Sequence, residues 1–303
     1  MTAHDDSALV DTGWLAAHLE APDVRVVDAS YYLPHEGLDP RAEYEAQHIP
    51  GAVFFDIDDI ADSDSPLPHM LPSPEKFSSK VRRLGLGDGV RIVVYDQRGI
   101  WSAARAWWSF RVFGHEDVAV LDGGLPKWLR EGRRVADGPG QAQPRHFTAR
   151  MNTFLVRDKV QLLANIGSRR EQVLDARATG RFTGETPEPR AGMRGGHIPG
   201  SRSLPFVELL DSETQTLLPA EALRARFAAA GIDLERPVVT SCGSGVTAGV
   251  LALGLHLLGH RPVAVYDGSW SEWGLPDGDT PIETGPVETG PVETGPVETG
   301  PMG

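Results

Sequence analysis

The sequence predicts an α/β fold built twice: two tandem domains, each an open, mostly parallel sheet flanked by helices, followed by a short repetitive tail. Three observations predict it. The chain has 303 residues, enough for two cores of ordinary size, with 40% apolar and 23% charged residues. Short β-branched runs alternate with helical patterns, the signature of a parallel sheet covered on both faces. And the chain repeats itself. "RIVVYDQRGIWSAARAWWSFRVFGHEDVAVLDGGLPKW", Arg91 to Trp128, aligns without a gap on "RPVVTSCGSGVTAGVLALGLHLLGHRPVAVYDGSWSEW", Arg236 to Trp273. Upstream, "VVDAS" at Val26 is answered by "VLDAR" at Val173, and His48-Ile49-Pro50-Gly51 by His197-Ile198-Pro199-Gly200. Several blocks matched in one order mark a duplicated domain.

In chain order, "VRVVD" from Val24, "RIVVYD" from Arg91 and "VAVLDGG" from Val118 read as buried strands of the first domain. "QVLDAR" from Gln172, "RPVVTS" from Arg236 and "VAVYDGS" from Val263 repeat them in the second. "SAARAWWSFRVFG" and "TAGVLALGLHLLG" read as helices, each ending at a glycine placed for a C-terminal cap. The seam falls in "ADGPGQAQPRHF", Ala136 to Phe147, which has Gly, Pro and Gln but no apolar periodicity. The expected organisation is a first domain over 1–140, a linker over 141–150, a second domain over 151–280, and a tail over 281–303. That tail repeats a five-residue Pro/Glu/Thr/Gly unit, which sustains neither helix nor strand, so it is expected to be disordered.

Composition narrows function. A net charge of -13 offers no basic footprint for nucleic acid or an anionic membrane surface. The most apolar run, Val246 to Leu258, is too short to span a bilayer, and "MTAHDDSALVDTGWL" has no signal-peptide core, so a cytoplasmic protein is expected. A single cysteine excludes an internal disulfide framework and a thiolate-built zinc site; no metal is expected.

That cysteine, Cys242, stands where a strand should end and a helix begin, the position where open α/β sheets bind ligands. A lone cysteine is ordinarily a small buried hydrophobe, but a packed core position has no need of flanking glycines. Gly243 and Gly245 let the backbone turn and leave amides unshielded, and Val246 and Thr247 begin the helix whose N-terminal dipole favours an anion. A thiol in such a cradle is held as thiolate without any charged side chain. The first half carries Gln97 at the matching position, so the fold itself does not demand sulfur there. A cysteine phosphatase needs C-x5-R, but position 248 is alanine; G-x-S-x-G and the phosphate-binding G-x4-G-K-[ST] are also absent. A cysteine that accepts a sulfur atom fits what remains.

"CGSGVT" followed by alanine, the paired "HIPG" turns and "DGSWSEW" resemble the rhodanese superfamily of sulfurtransferases, from Val10 to Pro281. The resemblance implies two rhodanese-like domains, a catalytically silent first half and a persulfide on Cys242, with no organic cofactor. Thiosulfate-preferring members carry loops like "CRKGVTA"; Gly243 and Ser244 resemble the 3-mercaptopyruvate branch instead. Arg181 and Arg190 match the arginines that grip the mercaptopyruvate carboxylate and carbonyl, a task suited to the planar guanidinium. The branch is also associated with a relay from the loop serine to a histidine and an aspartate of the first domain; here these would be Ser244, His48 and Asp39. His48 recurs as His197, which favours a structural role for it, and Asp122 and Asp267 read as capping residues in their turns. The expected reaction moves the sulfur of 3-mercaptopyruvate to Cys242 and on to a thiol, thioredoxin among the candidates, or to cyanide. A thiosulfate sulfurtransferase is the first alternative, and a persulfide-carrying or redox-sensing module with little turnover the second.

Overall fold

The computed structural model describes residues 7–261 and 263–286. Among the described residues, ten strands form two sheets. The first holds β1 (Leu9–Val10), β2 (Val24–Asp28), β3 (Val53–Phe54), β4 (Arg91–Tyr95) and β5 (Val118–Leu121) in the order β1-β5-β4-β2-β3. The second holds β6 (Val156–Arg157), β7 (Gln172–Asp175), β8 (Arg202–Ser203), β9 (Val238–Ser241) and β10 (Val263–Tyr266) in the order β6-β10-β9-β7-β8. Every pairing is parallel, and the two orders are the same topology run twice. The six long-run strands stand where the sequence puts them. The four two-residue edge strands carry too few residues for a period to register.

Helices Ala103–Val112 and Ala248–Leu257 follow the central strands of their sheets. Both end in the same way. The amide of Gly114 returns to Arg111 and that of His115 to Phe110, and Gly259 and His260 repeat this on His256 and Leu255. This is a glycine-closed helix terminus, with φ of +86° at Gly114 and +77° at Gly259. The two helices lie against each other across the domain boundary, so close that a Cβ on Gly249 would stand 2.8 Å from the Ala104 carbonyl oxygen. One apolar core therefore runs through both domains, from Phe77 and Phe110 to Val250 and Leu253.

The linker is packed rather than loose. Phe147 inserts among Phe77, Phe110 and His115, and backbone bonds tie Asp88 to His146 and Arg150 to Phe113. At the other end, Glu283 exchanges backbone hydrogen bonds with His197 and Gly285 donates to Thr183, so order continues a few residues past 280. The rest of the repetitive tail, 287–303, lies outside the described residues.

Candidate active site

Cys242 directly follows the last residue of β9, at the carboxyl edge of the second sheet. Its N–H donates to Ser269 Oγ at 3.2 Å, its carbonyl accepts from Trp270 N–H at 3.0 Å, and the Gly243 carbonyl accepts from Ser271 N–H at 2.8 Å. The "DGSWS" turn after β10 thus clamps the loop from below. Gly245 has φ +75°, and a Cβ there would meet Arg105 Nη1 and the Asp267 carbonyl, each at 2.8 Å. Among the described residues, no backbone N–H from Gly243 to Thr247 donates to a protein acceptor. That run of donors, ahead of a helix, is available to an anion on the Cys242 sulfur.

Cys242 is 2% exposed and lines a cavity of about 320 Å³ together with Gly243, Ser244, Val246 and Thr247; Gly245 shapes the turn behind them. Arg181 and Arg190 line the same cavity, so the structure brings the predicted nucleophile and both predicted arginines together. Arg181 lies against the loop: a Cβ on Gly243 would stand 2.9 Å from its Nη2. Glu188 holds Arg181 from behind through Nε at 3.1 Å and Nη2 at 2.5 Å. Arg190 lies beside the Tyr31 phenol, whose pKa is pushed up to about 12 by burial and by the Asp58 charge, so Tyr31 keeps its proton as a hydrogen-bond donor.

The Ser244 hydroxyl meets a histidine of the first domain, and it is not His48. His69 Nδ1 lies 3.0 Å from Ser244 Oγ, and His69 Nε2 lies 3.2 Å from Asp58 Oδ1. An ionised carboxylate only accepts, so Nε2 carries a proton toward Asp58, and in the neutral ring Nδ1 then accepts the Ser244 O–H. The hydrogen bond to His69 holds the Asp58 carboxyl below its ordinary range. The edge of the His69 ring is braced by Tyr31, with centroids 4.6 Å apart. His69 sits at φ +62°, and its carbonyl accepts from Arg105 Nη2. Arg105 comes from the first domain, stacks on Trp108, donates to the Gly245 carbonyl at 3.2 Å and pairs with Asp267 at 2.8 Å. One buried guanidinium thus ties the histidine loop of one domain to the cysteine loop of the other.

His48 and Asp39 must be corrected. His48 Nδ1 bonds the Tyr44 carbonyl at 2.9 Å, its ring stacks on Tyr44, and its backbone pairs with Ala136. His197 does the same on the Phe182 carbonyl and ring. Both histidines pin their turns. Asp39 accepts from the amides of Arg41 and Ala42 as the N-cap of helix Pro40–Ala46. None of these residues lines the cavity. Asp122 and Asp267 are not local caps either. Asp122 Oδ1 accepts from the Leu217 amide at 2.8 Å and Asp267 Oδ2 from the Leu71 amide at 2.7 Å, so the two turns clasp opposite domains in pseudo-symmetric fashion.

Asp58, His69, Arg105, Tyr31 and Glu188 were beyond the sequence reading. His69 sits in "SPLPHMLPS", where prolines erase any periodicity. One signal was there. Leu217 occupies the place of Leu71, and two residues earlier Gln215, also at positive φ, stands where His69 does. No histidine of the second half answers His69, whereas His48 and His115 are answered by His197 and His260.

The described helices include none long and apolar enough to cross a membrane, and the described residues hold no cluster of three metal-ligating side chains. Compared with known proteins, residues 11–131 and 158–275 match the model of the rhodanese-like domain. The human 3-mercaptopyruvate sulfurtransferase is 46% identical over 272 residues, covering 88% of this chain and 91% of that protein. The rat thiosulfate sulfurtransferase is 45% identical over 273 residues, with the same coverages of 88% and 91%. Among solved structures, the Escherichia coli 3-mercaptopyruvate sulfotransferase SseA superposes with a TM-score of 0.80 at 39% identity, covering 88% of this chain and 100% of that one.

Proposed function

The chain belongs to the rhodanese family of tandem-domain sulfurtransferases, and from that premise we propose that its sulfur donor is 3-mercaptopyruvate, with Cys242 as the persulfide-forming nucleophile. Relatives named for mercaptopyruvate and for thiosulfate are equally similar, at 46% and 45%, so the reading of the donor rests on the site. The observation that carries it is the neutral loop. Gly243 and Ser244 bring no charge, and Gly243 leaves the space that Arg181 occupies; a long cation at 243 would displace it and repel it.

In the proposed reaction, Arg181 and Arg190 hold the donor's carboxylate and ketone oxygens against the loop. The Cys242 thiolate attacks the donor sulfur, the carbon–sulfur bond breaks, and its electron pair departs as the enolate of pyruvate. The arginines stabilise that enolate. Cys242 is left as a protonated persulfide. Its proton, which arrived on the donor thiol, passes to Ser244 Oγ as the serine proton moves to His69 Nδ1, and returns through Ser244, which lines the cavity, to the enolate carbon, completing the methyl group of pyruvate. Asp58 fixes the imidazole tautomer. The persulfide anion rests on the loop amides until a thiol, such as that of thioredoxin, or cyanide removes the outer sulfur. The first half, 1–140, supplies the wall and the relay rather than the nucleophile, and the catalytic half spans 151–280.

The test measures pyruvate release from 3-mercaptopyruvate and thiocyanate formation from thiosulfate, with cyanide as acceptor, in wild type and Cys242→Ser. Mercaptopyruvate turnover that exceeds thiosulfate turnover tenfold or more and disappears in the variant is expected. Faster thiosulfate turnover overturns the donor assignment in favour of a thiosulfate sulfurtransferase, and no turnover of either donor favours a persulfide carrier.

A further inference from the structure

Four arginines line the cavity beside Cys242: Arg98, Arg177, Arg181 and Arg190. Most of that charge is already cancelled. Arg98 pairs with Glu36 at 2.6 Å. Arg177 is fully buried and grips Asp175 through Nε at 3.1 and 3.0 Å and Nη2 at 2.7 Å. Glu188 is shared: Oε1 accepts from Arg177 Nη1 at 2.7 Å and Oε2 from Arg181 at 2.5 Å. Glu36 in the wall and Asp175 and Glu188 behind it match three of the four guanidiniums, and Arg190 faces Asp58, which also pairs with His69.

Arg177 does not need Glu188 to be buried safely. It already has Asp175, the Gly196 carbonyl at 2.8 Å and the face of Trp270 at 4.2 Å. What Glu188 adds falls on Arg181, which opens to the cavity. It takes Nε–H and one Nη2 proton, and leaves Nη1 and the second Nη2 proton for a ligand. It also cancels Arg181's charge in a site where water screens little, since its own side chain is 4% exposed.

We propose that Glu188 is the specificity-determining residue of this site: by neutralising Arg181 it matches the cavity to a singly charged carboxylate and disfavours a doubly charged anion such as thiosulfate. The inference rests on the donor reading above and adds a residue outside the loop to it. A dianion gains twice what a monoanion gains from a freed positive charge, so removing the Glu188 charge should move the donor preference by about ten- to fiftyfold at roughly 7–12 Å and an effective dielectric of about 20.

The experiment compares wild type, Glu188→Gln and Glu188→Asp, with Glu36→Gln as a second, partly exposed position that frees Arg98 in the same way. Two quantities are read. One is the ratio of kcat/KM for thiosulfate to that for 3-mercaptopyruvate, with cyanide as acceptor. The other, independent of turnover, is protection of Cys242 from iodoacetamide by sulfate against protection by pyruvate. Glu188→Gln should raise both ratios about tenfold or more, Glu36→Gln should raise them less, and added salt should shrink both effects. Glu188→Asp, which keeps the charge, should stay within about threefold of wild type even where rates fall. Equal losses for both donors with unchanged protection ratios, or Asp as disruptive as Gln, overturn the proposal; so does a Glu188→Gln chain that fails to fold while Glu36→Gln shifts neither ratio. Should wild type use neither donor, the donor reading fails, while the alkylation ratios still decide the role of Glu188.

Discussion

His69 Nδ1 and Ser244 Oγ, 175 positions apart in the chain, stand 3.0 Å apart across the domain interface. The site is therefore complete only when the two domains are docked. The loop carries the thiol and its amides, while the first domain supplies the imidazole, its aspartate and the arginine that fixes both loops.

A relay behaves as a unit, so its members should not add. Ser244→Ala and His69→Ala are each expected to lower kcat for 3-mercaptopyruvate about ten- to a thousandfold, and the double variant little more than the worse single one. Fully additive losses would separate the two residues. Asp58→Asn should fall between wild type and His69→Ala, because it perturbs the tautomer without removing the ring.

The two loop glycines should fail differently. Gly243→Ala places a methyl against the end of a half-buried arginine, so it should raise KM for 3-mercaptopyruvate about tenfold with little change in Tm. Gly245→Ala combines a left-handed φ with two contacts at 2.8 Å, from Arg105 and the Asp267 carbonyl. It should lower Tm by several degrees and reduce kcat as well.

Asp267 and Asp122 make matching clasps, but Asp267 also holds buried Arg105. Asp267→Ala leaves that guanidinium without its counter-ion and should cost about 3–5 kcal/mol by denaturant titration, with loss of turnover. Asp122→Ala removes one hydrogen bond at the opposite edge and should cost about 1 kcal/mol. Similar costs at the two sites would argue against the Arg105 link.

Asp28 and Asp175 occupy the same place in the duplication, but Asp175 has Arg177 where Asp28 has Ser30. Burial raises the Asp28 carboxyl to about 6, against the pull of its bonds from Ser30 and Tyr95. A carboxyl raised in the folded state favours folding when protonated. Stability should thus decline as pH rises from about 4 to about 6 and level off above, by roughly 2–3 kcal/mol from this group. In Asp28→Asn that decline should be absent, as read by denaturant midpoints at pH 4, 5, 6 and 7.

Much of this molecule was legible in its sequence. The paired blocks around Arg91 and Arg236 carried the duplication, the parallel sheets and the central strands, because a strand buried on both faces writes itself as a β-branched run. Cys242 was legible for the opposite reason. It breaks the repeat that Gln97 continues, and its glycines have no use in a core. Applied to histidines, the same logic separates His48, repeated and structural, from His69, unrepeated and facing the serine.

By itself the sequence determined which loop carries the thiol between its glycines and which strand presents it, since those depend on local backbone and on alternation. Only the tertiary structure decided which side chains of the first domain complete the site. The Asp58–His69–Ser244 contacts, the Arg105–Asp267 bridge and the docking of the two domains through Gly249 are set by packing between segments far apart in the chain. Such contacts leave no period in either segment. They are paid for by the shared apolar core, which fixes the angle between the domains and with it the reach of each side chain.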